Sequence, residues 1–463
     1  MKVLADPERV LVKGLAAIRA QYAVPRDFTA PVVAEADRTR HRQPTEHADW
    51  TERAFVTLDP SSSTDLDQAF LIEPAGADLV LHYALADIGW FVPDGGALEV
   101  EAWKRGVTLY LPDGKARLYP SMLSEGAASL LPGGARPAIV ASIRCSPEGT
   151  VMLDGMTRAI VQSRHKFGYE TTGVDDIPHL SDFSERMCRG EDARAATRVD
   201  PPEQTVERDE HGRLSLTFRP WLASEKANSR LSLAANMAIA ETLLNAGTGL
   251  FREMPQPDEH AVCSLRNTAK ALGLAWPAAM SLAQFERSID DTSRAGACFQ
   301  LAVRRLTGRA QYVQFTPGHI PWHAALGATY THATAPMRRL ADRYVLEATL
   351  DLASGRSVSP GCMRAFEQLP AIMNTADARQ GAVERAIIDL AEASLLMGHE
   401  GEIFEATVTQ LDEKGARIQL RDLPVLARVD SENARAGQKV TVRLVVADPE
   451  RRELRFAAVN ASR

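Results

Sequence analysis

The sequence predicts an α+β chain of several domains: a small N-terminal helical module, a large central domain of mixed α and β structure, and a C-terminal barrel of five strands. Three observations predict this. The chain has 463 residues, more than one hydrophobic core usually organises. Apolar residues recur at helical spacing near its start, and short strand-like alternation follows Gly398. The predicted domains are residues 1–48, 49–398 and 399–463.

The N-terminal module is predicted from two amphipathic stretches. Residues 6–22 follow an Asp-Pro start and place apolar side chains at three- and four-residue steps, namely at Val10, Leu11, Leu15, Ile18 and Tyr22. After a turn at Pro25, a second helix is predicted around residues 31–40. The pair fits a helix-turn-helix arrangement, although short helical pairs are also common packing devices.

The central domain alternates strand-like and helical stretches. Residues 79–85 form an apolar run typical of a strand, and residues 231–244 have helical spacing. Residues 371–397 keep that spacing over a long span and predict a long helix that closes the domain. The polar segment 191–209 is interpreted as a surface excursion within this domain.

After Gly398 the sequence predicts five short strands, at residues 406–411, 416–420, 425–429, 440–446 and 453–456. Polar or glycine-containing turns separate them. This pattern fits a barrel of the OB type, a fold that often binds single-stranded nucleic acid, although any small barrel has it. The strands contain few aromatic residues, so we expect binding through charge and shape more than through base stacking.

Composition indicates a folded protein. Hydrophobic residues make up 45% of the chain and charged residues 24%, unlike the composition of disordered proteins. There is no apolar run of about 18 residues and no secretion signal, so we expect a cytoplasmic protein that does not associate with membranes. The five cysteines are scattered and form no CxxC pair, which argues against a disulfide framework and a zinc ribbon.

The net charge of −7 taken alone argues against a nucleic-acid partner, because phosphate binding normally needs an excess of Lys and Arg. An enclosed channel can nevertheless be basic within an acidic exterior. Two arginine clusters could line such a channel, and solvated helix faces are the alternative. They are Arg304, Arg305 and Arg309, and Arg338 with Arg339.

Three aspartates, Asp59, Asp65 and Asp67, flank a serine-rich turn. Asp65 and Asp67 point the same way in an extended segment, and the turn can fold Asp59 back beside them. Converging carboxylates favour a divalent cation such as Mg²⁺, with Mn²⁺ as an alternative, which can polarise a phosphoryl oxygen. From spacing alone, an acidic surface turn or a calcium loop remains possible, but the EF-hand order of ligands is absent.

Five segments together resemble the ribonuclease II/R (RNB) family, whose patterns include T-I-D-x5-D-x-D-D-A, HIADV, RGxxxYLP, YTHFTSPIRRYAD and AER. They are residues 57–70 (TLDPSSSTDLDQAF), 82–88 (HYALADI), 105–112 (RGVTLYLP), 330–342 (YTHATAPMRRLAD) and 383–385 (VER). The resemblance covers about residues 50–400. It implies a monomeric enzyme that processively hydrolyses single-stranded RNA from the 3′ end to nucleoside 5′-monophosphates with Mg²⁺, and an RNA-binding role for the barrel.

Carried over residue by residue, the resemblance makes Asp59, Asp65 and Asp67 ligands that hold metal and position water. The loss of the Asp67 carboxylate is expected to be the most damaging. Arg338 would contact the scissile or a neighbouring phosphate, where a planar fork of donors suits developing negative charge. Gln68 stands where the family has a fourth aspartate; its amide oxygen can ligate a metal but supplies no charge.

The same resemblance implies a path for RNA. Tyr110 would pack against the 3′-terminal nucleotide and Tyr169 would line the path nearby. Arg339 and Glu384 are further expected contacts. His332 lies in the matching motif, where a buried structural imidazole is as good an interpretation as an RNA contact.

Two further departures from the family pattern matter. A glutamate of the family is absent from residues 228–236 (NSRLSLAAN), which with Gln68 motivates an alternative function, an RNA-binding or regulatory protein on a catalytically weakened scaffold. Only 58 residues precede Asp59, where family members usually carry two cold-shock-type domains. We therefore expect a wider channel entrance that admits some duplex RNA, with the N-terminal helices as a substitute contact.

Overall fold

The computed structural model describes residues 2–3, 10–196, 203–208, 214–219, 221–290, 293–306, 308–412, 415–430 and 437–459. Strand β1 (Lys2–Val3) precedes helices α1 (Val10–Gln21) and α2 (Ala30–Thr39). The amphipathic pattern of α1 is confirmed, since Leu11, Leu15 and Ile18 are buried. Residues 6–9 of the predicted helix lie outside the described residues.

The centre of the molecule is a seven-stranded sheet with the order β10-β3-β4-β5-β8-β9-β2. Neighbouring strands are antiparallel except for the outer pairs β10/β3 and β9/β2, which are parallel. Nearly all residues of β5 and β8 are buried, which is typical of strands covered on both faces. The elements of this half are β2 (Ala48–Asp49), β3 (Val56–Asp59), β4 (Gln68–Ala75), β5 (Asp78–Ala86), α3 (Ala97–Arg105), β6 (Leu109–Leu111), β7 (Gly114–Ala116), β8 (Arg136–Cys145), β9 (Val151–Val161) and β10 (His165–Gly168).

Helices from the second half of the domain pack on this sheet. Helix α5 crosses β3, β5, β8 and β9, and α9 packs on β9 and on α5. One continuous hydrophobic core includes residues from Leu11 in α1 to Ala391 in α10. The N-terminal helices therefore share the core of the central domain. The elements are α4 (Leu180–Ala193), β11 (Glu203–Arg208), β12 (Leu214–Arg219), α5 (Ala223–Asn245), β13 (Leu250–Glu253), α6 (Glu259–Ala271), α7 (Leu282–Ser288), α8 (Arg294–Leu306), β14 (Gln311–Gln314), α9 (Leu340–Ala353) and α10 (Pro360–Leu396).

Helices α6, α7 and α8 form a small satellite core of their own around Phe285 and Phe299. The ring of Trp276 stacks on Phe285 with centroids 4.7 Å apart. The sequence did not predict this unit, because neither a linker nor a change in composition marks its borders.

The long helix α10 begins at Pro360, eleven residues before the predicted start at residue 371. Proline at the first helical position is well tolerated, and the hydroxyl of Ser359 caps the helix by accepting from the Cys362 N–H at 3.2 Å. Pro370 lies inside the helix, although it lacks the N–H that would bond to the Phe366 carbonyl. Buried side chains on both sides of Pro370, such as Phe366 and Met373, hold the helix together there.

The C-terminal segment is a closed barrel with the order β15-β16-β17-β19-β18, in which β17 and β19 are parallel. Its strands are β15 (Ile403–Asp412), β16 (Gly415–Leu420), β17 (Leu426–Asp430), β18 (Lys439–Asp448) and β19 (Glu453–Ala458). The barrel has a separate core that begins at Leu396, the last residue of α10. The predicted fold class, with its mixed α and β centre and terminal five-stranded barrel, is confirmed. Within the described residues, no helix has the length and apolarity needed to cross a bilayer.

Candidate active site

The aspartate segment is folded back on itself at one edge of the central sheet. Strand β3 ends at Asp59, which pairs with Gly168 of the parallel strand β10. Lys166 of β10 donates to the carbonyls of Ser61 at 2.7 Å and Ser63 at 2.6 Å, so the serine-rich turn is held from one side. A Cβ on Gly168 would lie 2.2 Å from the Ser61 hydroxyl, so the close approach of strand and turn depends on glycine.

Asp67 is the most enclosed carboxylate of the segment, with 1% of its side chain exposed. Its Oδ1 accepts from the Met337 N–H at 2.8 Å and its Oδ2 from Arg338 Nε at 2.6 Å. Burial raises the pKa of Asp67, and the Arg338 charge and the Met337 N–H oppose that rise. About two fifths of the Arg338 side chain (42%) is exposed, so the guanidinium joins the buried carboxylate to open space.

Asp65 forms an ion pair with a different cation, Lys115. Its Oδ1 accepts from Lys115 Nζ at 2.6 Å, and the Tyr110 hydroxyl lies 3.3 Å from its Oδ2. Tyr110 and Lys115 face each other across the β6–β7 hairpin. Lys115 was not predicted from the sequence, although the Asp113-Gly114 pair is a strong signal for a hairpin that would place it opposite Tyr110.

Unlike Asp65 and Asp67, Asp59 forms no ion pair within the part of the chain that the structure describes. Its Oδ2 is buried and has no hydrogen-bond partner among the described residues. Burial raises the pKa of Asp59 to about 7, against the opposing charge of Arg338 and with a further contribution from Asp67. A buried and unpartnered carboxylate oxygen is costly, and it is the chemistry of donor that a divalent cation binds.

Asp59, Asp65 and Asp67 offer the type of donor that a divalent cation binds, but their arrangement in this structure differs from a formed metal site. Within the described part of the chain, no group of three or more His, Cys, Asp and Glu side chains is arranged to hold a metal ion. Asp65 and Asp67 are turned towards Lys115 and Arg338 instead. Asp59 supplies the free oxygen, and the other two carboxylates would join it if they exchanged a protein cation for the metal.

Gln68 is held in a neutral hydrogen-bonded group. Its Oε1 accepts from the Tyr83 hydroxyl at 2.5 Å and lies 3.3 Å from the Ser232 hydroxyl, and the two hydroxyls are 2.7 Å apart. Burial raises the pKa of Tyr83 well above its usual value, so the phenol stays neutral. Ser232 belongs to the segment that lacks the family's glutamate. The expected metal-ligand role of Gln68 stays a prediction, because two hydroxyls already surround its oxygen.

Helix α5 also fixes Tyr169 beside Asp59. Asn228 donates to the Tyr169 hydroxyl at 2.7 Å, Ser224 donates to its carbonyl at 2.8 Å, and the Tyr169 N–H donates to the Asp59 carbonyl at 3.2 Å. Burial raises the pKa of Tyr169, and the nearby Asp59 adds to the effect. The structure thus brings Tyr169 to the aspartate cluster, whereas Tyr110 lies on its open side with 44% of the residue exposed.

Two other predicted residues, Arg339 and His332, make contacts of a different kind. Arg339 forms a forked pair with the fully buried Asp342, with Nη2 2.7 Å from Oδ2 and Nε 3.0 Å from Oδ1. His332 Nδ1 lies 2.8 Å from the Tyr312 hydroxyl, and burial lowers the pKa of His332 well below its usual value. Arg339 and His332 therefore have internal partners, and their expected contacts with RNA stay predictions.

Glu384 lies on the exposed face of α10 and accepts from Gln380 at 2.9 Å. Arg309 reaches the same helix, since a Cβ on Gly381 would lie 3.2 Å from its Nη1. The side chains of Arg304 and Arg305 lie outside the described residues. Of the first predicted arginine cluster, Arg309 is thus the side chain that the structure describes, and it lies near Gly381 of α10.

The chain matches two families of known proteins. Residues 47–353 match the RNB domain, and residues 402–459 match the RNase II-type exonuclease C-terminal S1 domain. Ribonuclease R of Thermotoga maritima is 25% identical over 430 residues, which cover 86% of this chain and 60% of that protein. The chain therefore spans about three fifths of the length of this relative.

Solved structures show the same fold. Mycoplasma genitalium RNase R in complex with ribose methylated single-stranded RNA superposes with a TM-score of 0.87 at 19% identity, covering 99% of this chain and 79% of that one. Yeast Ssd1, a pseudonuclease, superposes with a TM-score of 0.68 at 15% identity, covering 90% of this chain and 55% of that one. Because the RNB domain match takes in both the aspartate segment and the Arg338 motif, the chain belongs to the RNB domain family.

Proposed function

We propose that the chain is a 3′→5′ exoribonuclease that hydrolyses single-stranded RNA to nucleoside 5′-monophosphates with a divalent cation, Mg²⁺ or Mn²⁺, at the aspartate cluster. The observation that carries the proposal is the pairing of Asp67 with Arg338. It unites two distant segments at one point, where an unpartnered carboxylate oxygen of Asp59 and a half-exposed guanidinium lie close together.

Each of these side chains would have a separate role in such a reaction. A cation held by Asp59, with Asp65 and Asp67, would supply positive charge to a phosphoryl oxygen and make a nearby water more acidic. Arg338 has a side chain that is 42% exposed and bonds to Asp67 through its Nε. Its other guanidinium nitrogens can neutralise the charge that develops on the phosphate. Asp67 fixes the orientation of that guanidinium.

Recognition of the RNA end would depend on Tyr110. Its exposed ring offers a face on which a base can stack. A base stacked there would lie next to the carboxylates, because the Tyr110 hydroxyl contacts Asp65. Processive action on 3′ ends, passage through some duplex and action as a monomer belong to the same proposal, and the RNA complexes of Mycoplasma genitalium RNase R, one of them with double-stranded RNA, motivate the RNA substrate.

A second candidate function is RNA binding without cleavage. The neutral group of Gln68, Tyr83 and Ser232 favours it, because two acids of the family pattern are absent there. The likeness to the pseudonuclease Ssd1 also shows that the fold exists without this activity. Retention of Asp59, Asp67 and Arg338 in one connected site supports cleavage over this alternative.

End-labelled single-stranded RNA incubated with the protein and Mg²⁺ tests the proposal, with Asp67→Asn as the matched variant. We expect stepwise shortening from the 3′ end to mononucleotides by the wild type, and unchanged RNA binding without shortening by the variant. Binding without shortening by both proteins would favour the second candidate.

A further inference from the structure

A cavity of about 820 Å³ lies beside the aspartate cluster and not within it. Its walls come from the end of α4, one face of α5, helix α7 and the segment 322–330, and we call it the side pocket. The residues expected at the cleavage site do not line it. Its volume falls within the range of roughly 300–1,000 Å³ that is usual for small-molecule sites.

Helix α5 separates the side pocket from the aspartate cluster. Asn228, Ser232 and Asn236 form one stripe along the helix and bond to Tyr169, Gln68 and Tyr330. The pocket is lined by a second stripe, at Lys226, Ser229, Arg230 and Leu233. At 100° per residue the two stripes are offset by roughly 110° around the helix. The side pocket is therefore a distinct space that adjoins the active site at Tyr330.

The outer wall of the side pocket is held by backbone hydrogen bonds. The His323 N–H donates to the Ala328 carbonyl at 2.9 Å, and the Met254 N–H donates to the Trp322 carbonyl at 3.0 Å. Gly327 has a positive φ of 58°, and a Cβ there would lie 2.5 Å from the Arg194 carbonyl. Only glycine allows the segment to approach the end of α4 so closely, so the cavity is a formed part of the fold.

The charges around the side pocket favour an anion. Arg194 and Arg230 line it, and each has a buried guanidinium nitrogen without a hydrogen-bond partner among the described residues. Glu191 also lines the pocket and forms a long ion pair with Arg230, with 3.8 Å between Oε2 and Nε. Lys226 adds a third cation to the lining. Paired arginines with spare N–H groups are suited to a phosphate.

The remaining lining can recognise a neutral, flat and partly polar group. Both oxygens of Glu286 are buried without a partner in the described structure, as is Nδ1 of His323. Burial raises the pKa of Glu286 to about 7, so this carboxyl can both donate and accept a hydrogen bond near neutral pH. Trp322 is 43% exposed and lines the pocket with Leu233, which provides apolar contact for a ring.

We propose that the side pocket binds a ribonucleotide unit, with the phosphate against Arg194 and Arg230 and the base between Trp322 and Glu286. The choice of a ribonucleotide rests on the proposed function, which produces nucleoside 5′-monophosphates beside this pocket. Such a unit has two sources, a free nucleoside 5′-monophosphate or an unstacked nucleotide of an RNA strand. Both present the same phosphate, ring and hydrogen-bonding edge.

Equilibrium binding of labelled UMP and GMP to the full chain in metal-free buffer tests the proposal. The variants are Arg194→Met, which removes the spare N–H groups, and Ser229→Trp, which fills the pocket from an exposed position of α5. Arg364→Met, at an exposed position of α10, is the matched control. We expect binding by the wild type, the control and Asp67→Asn, at least tenfold weaker binding by both pocket variants, and weaker binding of inorganic phosphate or uridine alone.

The second arm uses a photoreactive RNA oligomer with Asp67→Asn. If free UMP and GMP do not bind but the oligomer cross-links to the segment around Trp322, and Ser229→Trp abolishes the cross-link, the occupant is a nucleotide of an RNA strand. Absence of both signals, or signals that neither pocket variant changes, overturns the proposal. Cleavage of an unstructured oligomer by Ser229→Trp is measured separately and is expected to be unchanged, so failure of the pocket leaves the proposed exonuclease activity testable.

Discussion

Arg338 donates its Nε to the carboxylate of Asp67 over 2.6 Å, although 271 residues separate the two in the sequence. Asp67 is nearly inaccessible and Arg338 is partly exposed. The pair therefore differs from a surface salt bridge, which contributes little to stability. The carboxylate fixes where the guanidinium points, and the guanidinium compensates a charge that burial would otherwise disfavour.

The first prediction concerns the shape of that guanidinium. In Arg338→Lys the charge remains near Asp67, but an ammonium cannot bind a carboxylate and a phosphate through separate faces of a planar fork. We expect kcat for RNA cleavage to fall about 10²- to 10³-fold, with a small change in the unfolding midpoint. Single-turnover cleavage and thermal unfolding of the same preparations measure the two effects. Wild-type cleavage by the lysine variant would show that charge alone suffices.

Substitution of Arg339 is expected to lower the stability of the protein and to change RNA cleavage little, the reverse of the expectation for Arg338→Lys. Its partner Asp342 is fully buried, so Arg339→Ala leaves an uncompensated charge in the core, at a cost of about 3–5 kcal/mol in the free energy of unfolding. We expect the RNA-cleaving activity of the folded fraction, including its KM, to change little. The double variant Arg339→Ala/Asp342→Ala should recover part of the loss. A raised KM without loss of stability would instead support the predicted contact of Arg339 with RNA.

The third prediction concerns the unpartnered oxygen of Asp59. In the metal-free protein this buried carboxylate is destabilising, so Asp59→Asn, which keeps the shape and removes the charge, should raise the unfolding midpoint. The same variant should lose cleavage and the stabilisation that added Mg²⁺ or Mn²⁺ gives the wild type. Unfolding measured with chelator and with metal separates the two effects. Equal stabilisation of both proteins by metal would place the cation elsewhere.

Gln68→Asp tests the neutral group next to the cluster. The new carboxylate would restore the family pattern and add negative charge near Asp59 and Asp67. We expect half-maximal activity at several-fold lower Mg²⁺, together with a lower unfolding midpoint in chelator, because Tyr83 and Ser232 lose the longer acceptor. Gln68→Asn, which is equally short but uncharged, is the control for the change in length. If both variants need the same Mg²⁺ concentration as the wild type, Gln68 lies outside the metal site.

The predictions that the structure confirms rest on short local patterns in the sequence. Spacing alone indicated a metal site as one interpretation of the aspartates, whereas the roles of Arg338 and Tyr110 were implied only by the resemblance to the ribonuclease II/R family, and all of these roles stay predictions. The five barrel strands alternate cleanly and end at polar or glycine-containing turns, and their number is confirmed. The predicted start of α10 was eleven residues late because Pro370 interrupts the helical pattern, whereas packing on both sides carries the helix through it.

Contacts that depend on how strands and helices pair in space could not be predicted from the sequence. Lys166 reaches the serine-rich turn because β10 lies parallel to β3, with Lys166 opposite Thr57. Spacing along the chain does not reveal that pairing. Ser232 contacts Gln68 because helix α5 packs across the central sheet. The sequence showed only that a glutamate of the family pattern was absent from this segment. Residues such as these decide whether the carboxylates meet a metal or a protein cation.

The last prediction concerns pH and the junction between α10 and the barrel. Glu392 is buried, and its Oε1 accepts from the Leu426 N–H at 2.7 Å and from Gln204 at 2.6 Å. Burial raises its pKa from 4.5 to about 8, although both donors oppose the rise. Between these values the unfolded chain has lost a proton that the folded chain keeps, so this group makes stability fall as pH rises from about 4.5 to about 8.

Glu392→Gln keeps an acceptor for both donors and cannot ionise, so it should remove that pH dependence. We expect the variant to match the wild type near pH 4.5 and to exceed its unfolding free energy by roughly 4 kcal/mol at pH 8. Urea unfolding of both proteins at intervals between these pH values measures the difference. Glu384→Gln, at an exposed position of the same helix, is the control and should show no such trend. A constant difference between wild type and Glu392→Gln at every pH would mean that Glu392 is already ionised in the folded protein, with the Leu426 N–H and Gln204 outweighing its burial.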